Sequence, residues 1–326
     1  MRALLIGLGR WGEQHLRVLR GLAADIWVAD VSSDRLAWAV QQGVDAAHAV
    51  ADYRVALGHV DAVDIVTPAD THHALATECL DAGRDCFVEK PFTLTVAEGR
   101  ALAGRVKRTG RLVQVGHIFR FHPVTECLRA ALAADRIGAV RYATGRFAGF
   151  KRPRMDVGVT QTDGIHYFDL FAYLLGRDAT AATAIVRDYL GRGMDDLSFT
   201  AVEYGPTPVV VEAGYFVPGT HRECVIVGER GSLVADFGQS TVTAYAGEHR
   251  RRGNGWEAAE YGTEQLKVSG DEPLRRQLGA FLECVARRTP TPVDATAGVR
   301  ALEVVEAAAR SSRLGRRVTL DEVRSS

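Results

Sequence analysis

Two rhythms of apolar and polar residues divide the chain. In the first 120 residues, short apolar runs with little polar alternation alternate with amphipathic stretches. Residues 3–7 (ALLIG), 26–29 (IWVA), 62–67 (AVDIVT), 86–89 (CFVE) and 112–115 (LVQV) read as strands buried on both faces. Between them the pattern predicts helices over 13–20, from a Ser33 cap to Gln42 with Gly43 as stop, from Thr71 to Ala82 ahead of Gly83, and behind a Thr95 cap to Thr109 ahead of Gly110. A weak element at 46–49 and a helix near 52–57 fill the remaining interval. Strands regularly separated by helices predict right-handed crossovers, and so a doubly wound parallel sheet covered on both faces.

Beyond Arg120 the period changes. Pro123 opens a helix through Asp135 that Gly138 ends, and strand-like runs follow at 140–147, 182–187, 197–204, 209–215, 223–227, 232–237 and 241–245. Short turns at 205–207 and 228–231 make this an antiparallel meander, while the polar, glycine-rich stretch 246–262 reads as a mobile loop. The expected fold is an α/β domain with a doubly wound parallel sheet over 1–119, then an α+β domain with a large, mainly antiparallel open sheet over 120–326. A sheet with so few helices needs cover on its second face, so a homodimer or homotetramer through that sheet is expected. One helix interrupts the strands at 163–176 (DGIHYFDLFAYLLG): Ile165, Phe168, Ala172 and Leu175 form its apolar stripe and leave His166, Asp169 and Tyr173 on another face.

Composition narrows the function. The 326 residues carry 40 basic and 40 acidic side chains, so no net field draws in nucleic acid or an anionic membrane. The N-terminal apolar run is short and broken at once by glycines, unlike a signal peptide, which makes a cytoplasmic protein the expectation. Cys79, Cys86, Cys127, Cys224 and Cys284 are scattered without ligand or disulfide spacing, so no metal is expected.

The candidate chemistry lies at strand ends. Gly7-Leu8-Gly9-Arg10-Trp11-Gly12 is GxGxxG between a strand and a helix, a setting that suits a pyrophosphate. Asp30 ends the next strand about 20 residues on, where an acid accepts hydrogen bonds from the adenine ribose and disfavours a 2'-phosphate. This favours NAD; Ser32, Ser33 and Arg35 leave NADP open, and Asp30 as a simple turn cap is the plain alternative. Thr67-Pro68, Glu89-Lys90 and Gly116-His117 also end strands, so they share one rim with the glycine turn. Lys90 is therefore either a solvated strand end or a reactive ammonium. His166 is read in the first turn of its helix, where the dipole keeps an imidazole neutral; the bland alternative is a packed histidine.

GLGRWGEQH, then VTPADTHHALATECLDAGRDCFVEKPFTLT, then DGIHYFDLFAYLLG resemble the glucose-fructose oxidoreductase and inositol dehydrogenase family, Gfo/Idh/MocA. The resemblance implies a Rossmann domain followed by an α/β domain with a large sheet, and oxidation or reduction of a secondary alcohol or ketone on a sugar, cyclitol or sugar nucleotide with NAD or NADP. It implies Lys90 and His166 as catalytic residues, with cofactor positions at Gly7, Gly9, Gly12, Asp30, Thr67, Pro68, His72 and Glu89; Arg10 and Trp11 of the glycine turn and Lys90 are expected beside the cofactor with them. Inositol dehydrogenase-like members carry DxGxH, and here Thr162 stands at the aspartate's position. Either Asp163, one place later, takes the role through a shifted turn, or Thr162 hydrogen-bonds the substrate. The basic run Lys151-Arg152-Pro153-Arg154, with Arg120, is a candidate anion site for substrate, or a solvated loop. An NAD-recycling glycosidase or eliminating enzyme and a non-catalytic NAD-binding sensor are the competing functions.

Overall fold

The computed structural model describes residues 1–23 and 25–325, which form two compact units: Met1–Ile118 with Glu272–Leu302, and Phe119–Asp271 with Glu303–Ser326. In the first, strands β1 (Arg2–Ile6), β2 (Asp25–Ala29), β3 (Ala49–Val50), β4 (Ala62–Ile65), β5 (Asp85–Val88) and β6 (Val113–Val115) form one parallel sheet. Its order, β3-β2-β1-β4-β5-β6, reverses the direction of winding between β1 and β4. Helices α1 (Arg10–Leu19), α2 (Ser33–Gln41), α3 (His72–Asp81) and α4 (Val96–Thr109) are the crossovers. A capping box starts α4: Thr95 accepts from Glu98 N–H while Glu98 bonds back to Thr95 N–H, and Gly110 ends the helix in the left-handed conformation. Two local expectations change. Ser32, not Ser33, caps α2, and the short helix near 52–57 is a tighter 3₁₀ segment, Tyr53–His59.

The second unit contains α5 (Pro123–Ala133), β7 (Val140–Gly149), α6 (Ile165–Leu175), β8 (Ala181–Arg187), β9 (Leu197–Tyr204), β10 (Thr207–Gly214), β11 (Thr220–Gly228), β12 (Gly231–Asp236), β13 (Thr241–Arg252) and β14 (Gly255–Leu266). With β15 (Val318–Thr319) they make a nine-stranded sheet, β14-β13-β12-β11-β7-β10-β9-β8-β15, in which the β7–β10 pair is parallel and the other pairs are antiparallel. The stretch 246–262, expected as a loop, is instead most of a long hairpin, with β13 and β14 paired from Val242↔Leu266 to Arg252↔Gly255 across one register shift at Ala246/Gly247. Most of its outer side chains are exposed on both faces. Backbone pairing and cross-strand contacts such as Arg252–Glu257 and Tyr261–Glu248 therefore hold it without a hydrophobic alternation to read.

Two long helices follow, α7 (Pro273–Arg287) and α8 (Ala295–Leu314), and the short α9 (Leu320–Arg324) ends the fold. α7 belongs to the first unit, where Leu274, Leu278, Phe281, Leu282 and Val285 pack with Leu5, Leu16, Leu19 and Phe87. Each such side chain, fully buried, contributes roughly 1.5–3 kcal/mol. Arg288 then pairs with Asp85 at the start of β5, 203 residues earlier, so the sheet face is covered by distant sequence. The five cysteines are free thiols. Among the described residues no helix is long and apolar enough to cross a membrane.

Candidate active site

In the first unit the strand order places the β1 and β4 ends beside the crevice where such sheets bind ligands. The three glycines after β1 have different tasks. Gly7 has φ +98°, and a Cβ there would lie 2.7 Å from the Val66 carbonyl oxygen. A Cβ on Gly12 would come within 2.1 Å of the Gly7 oxygen. Gly9, the N-cap of α1, has φ −66° and no side-chain cap, and a Cβ there would meet nothing within 4 Å. Gly7 and Gly12 thus make the turn, whereas Gly9 leaves room before a helix start whose first N–H groups point outward. These residues fit the pyrophosphate of a dinucleotide.

Asp30 accepts the N–H groups of Leu8 (2.7 Å) and Ser32 (2.9 Å), fixing its carboxylate beside the glycine turn. Arg35 donates to the Leu8 carbonyl and pairs with Glu13 at 2.7 Å, while Ser32 caps α2. Two of the groups that left NADP open are thereby engaged locally. Arg10 and Trp11 are exposed on the first turn of α1. Thr67 meets the Thr71 hydroxyl at 2.6 Å. Pro68 is exposed, and buried His72 has its ring nitrogens 2.9 Å from the Thr67 carbonyl and 2.8 Å from that of Pro91, tying the β4 end to the segment after Lys90. Lys90 itself is half-buried, and its N–H donates to its neighbour Glu89 at 3.0 Å.

Behind Glu89 are two residues that the sequence reading passed over, His15 on α1 and Asp64 on β4, with Nδ1 and Oδ2 2.8 Å apart. An acid in the middle of the apolar run AVDIVT is the signal that could have found them, because a carboxylate buried on both faces needs a partner.

In the second unit a π-helical turn, Thr160–Gly164, precedes α6. His166 therefore lies past the first helical turn, and the dipole effect expected there falls on residues 160–163 instead. Asp195 anchors the turn by accepting from the Thr160 N–H at 2.7 Å and its hydroxyl at 2.6 Å. Thr162 is buried with its hydroxyl 3.1 Å from that of Tyr215. Asp163, one residue on, pairs with Lys151 at 2.6 Å. Lys151 lies over the rings of Phe147 (4.8 Å) and Tyr215 (5.4 Å). His166 is buried, nearly parallel to Phe119 and Phe147 at centroid distances of 4.9 and 5.2 Å.

The other polar residues of α6 serve packing. Asp169 is buried and accepts both guanidinium branches of Arg120, at 2.8 and 2.5 Å, while Arg120 and Arg129 lie over the Tyr173 ring at 4.9 and 4.6 Å. Within the basic run, Arg154 pairs with Asp156, and Arg152 is exposed.

Both units match models of one family: residues 1–117 that of an oxidoreductase family with an NAD-binding Rossmann fold, and residues 129–320 that of the family's C-terminal alpha/beta domain. The chain belongs to the Gfo/Idh/MocA oxidoreductase family. Its NAD-binding domain is the one that carries the glycine turn. The chain is 29% identical to UDP-N-acetylglucosamine 3-dehydrogenase of Acidithiobacillus ferrooxidans over 303 residues, 93% of this chain and 94% of that one. It is 29% identical to scyllo-inositol 2-dehydrogenase (NAD(+)) of Bacillus subtilis, over 82% of this chain and 79% of the other. The solved structure of the Acidithiobacillus enzyme superposes with a TM-score of 0.83 at 26% identity, covering 96% of this chain and 98% of that one.

Proposed function

We propose that the protein interconverts a secondary alcohol and a ketone on a sugar, cyclitol or sugar nucleotide, with NAD as the redox partner. The observation that carries this is the similarity to two dehydrogenases of such substrates, over 93% and 82% of this chain, on a chain that keeps both Lys90 and His166. Bound NAD supplies the hydride acceptor. Lys90, as ammonium, hydrogen-bonds the reacting oxygen and stabilises its developing negative charge, and His166 takes the hydroxyl proton. In the reducing direction His166 returns it.

Substrate hydroxyls are held, on this proposal, by the Asp163–Lys151 pair and by Thr162, which stands where inositol dehydrogenase-like members have aspartate. Arg120, Arg154 and Lys151 are each matched to a carboxylate, which leaves exposed Arg152 as the cation of the basic run for an anionic substrate group.

A homodimer or homotetramer is proposed through the open face of the nine-stranded sheet. Ile185, Phe199, Val210, Tyr142, Val234 and Tyr245 share one face by register and are all at least 38% exposed. The opposite-facing Ala143, Val209, Val211, Ile226, Leu233 and Val242 are buried.

The test is reduced-nicotinamide absorbance with the purified chain, NAD and a panel of inositols, free sugars and UDP-N-acetylglucosamine. The reading predicts net NADH with at least one class. NAD binding without reduction on any of them would favour a sensor, and bond cleavage without net NADH a cofactor-recycling enzyme.

A further inference from the structure

Glu89 sits in a buried cluster of three ionisable side chains within the first unit. His15 presents Nδ1 to Asp64 Oδ2 at 2.8 Å and Nε2 to Glu89 Oε1 at 3.4 Å. Carboxylates only accept, and a neutral imidazole has one N–H, so it would turn a lone pair on one of these oxygens. An imidazolium has two N–H groups, one for the Asp64 hydrogen bond and one that turns positive charge toward Glu89 at ion-pair distance. All three residues are buried. The titratable groups facing the ring are Asp64 from β4 and Glu89 from the end of β5; its other neighbours are the rings of Trp11, 5.6 Å away, and Phe87, 5.7 Å away. Burial works against the charged ring, but the two carboxylates outweigh it and raise the His15 pKa to about 9. Burial also opposes charge on both acids: it pushes the Asp64 carboxyl above the usual range in spite of His15, whereas His15, Lys90 and the Trp11 side chain together hold the Glu89 carboxyl below it.

The same carboxylate supports Lys90. Glu89 Oε2 accepts the Lys90 N–H at 3.0 Å, and its charge acts on the Lys90 ammonium. Space for it is kept by Gly116, where a Cβ would fall 2.8 Å from the Glu89 carboxylate.

We propose that His15 is a positioning residue: a buried imidazolium that ties Asp64 to Glu89 and so fixes the carboxylate on which the Lys90 backbone and charge rest. This inference rests on the reading of Lys90 as the cation at the reacting oxygen. A charge-neutral ring, or a ring that merely fills space under α1, does not satisfy it.

Nitrogen NMR on the full chain labelled at histidine tests the protonation at about pH 7.5, between the ordinary histidine value of 6.5 and the raised value of about 9. The expected result is a His15 ring with both nitrogens protonated, assigned by its loss in His15→Gln. A singly protonated ring overturns the proposal. Kinetics test the positioning. His15→Gln should lower kcat at least about 10-fold while NAD affinity, read by protein fluorescence, changes little. Should His15→Gln alone fold poorly, the double variant with Asp64→Asn removes the nearer of the two orphaned acids and should recover part of the thermal stability. Turnover that stays low in that double variant supports positioning, and turnover that returns together with stability overturns it. Lys90→Met in parallel separates the two claims: normal turnover there removes the reading of Lys90, while the NMR result still decides the charge of His15.

Discussion

Alanine at Gly9 and at Gly12 separates two functions of one turn. At Gly9 the backbone is ordinary, with φ −66°, and the new methyl has no neighbour within 4 Å. Folding should tolerate it, because the stiffer unfolded chain adds roughly 0.4–1 kcal/mol and the poorer N-cap that alanine makes offsets about as much. The methyl occupies the space before α1 where a pyrophosphate would approach the helix N–H groups. Losing one such charge-assisted hydrogen bond, at about 1.5–3 kcal/mol, corresponds to roughly 10- to 100-fold weaker NAD binding. At Gly12 the methyl lies 2.1 Å from the Gly7 oxygen, a backbone atom that cannot swing aside. The turn or α1 must shift, at a cost of about 1–3 kcal/mol or more. Urea denaturation followed by circular dichroism reads stability, and quenching of tryptophan fluorescence by NAD reads affinity. Gly9→Ala should be stable and bind weakly; Gly12→Ala should be the unstable one. Wild-type NAD affinity in Gly9→Ala, or equal destabilisation of both, would refute the division of roles.

Other perturbations address separate parts of the account. Because the folded pKa of His15, about 9, exceeds the ordinary 6.5, its charge stabilises the fold fully below about pH 6.5 and progressively less as pH rises through 9, in total about 3 kcal/mol. The stability gap between wild type and His15→Gln in urea should therefore narrow over that window, and a constant gap would contradict the buried charge. Phe199→Asp combined with Val210→Lys places charges on the open sheet face and should lower the mass seen by light scattering; an unchanged mass at micromolar concentration would move the interface elsewhere. Lys151→Met leaves Asp163 without its cation and should raise KM for the polyol roughly 10-fold more than it lowers kcat. A KM that does not change would remove the pair from substrate binding.

The first unit was legible because each device is local. An unbroken apolar run followed by GxGxxG, and an acid about 20 residues on, occupy fixed places in one strand-turn-helix unit. What escaped depends on distant or pattern-free contacts. The 246–262 stretch carries charged and aromatic side chains exposed on both faces of a hairpin, so nothing in its polarity marks the period of two. Helix α7 is amphipathic, but its partners, among them Leu16 and Phe87, lie far earlier in the chain. His15 looked like one polar position of an amphipathic helix, and only the fold brings Asp64 and Glu89 to it. At 163–176, the helix pattern named the right residues but not their company: Asp169 and Tyr173 are engaged by Arg120 and Arg129, and a π turn rather than an α turn leads into His166.

The most direct test of the central claim is reduced-nicotinamide formation by Lys90→Met beside the wild-type chain, on whichever substrate of the panel the wild type oxidises. The account predicts a fall in kcat of about 100-fold or more, as expected when a group that stabilises charge in the transition state is removed, with NAD affinity within roughly twofold. A Lys90→Met enzyme that oxidises the same substrate at a near-normal rate would contradict it.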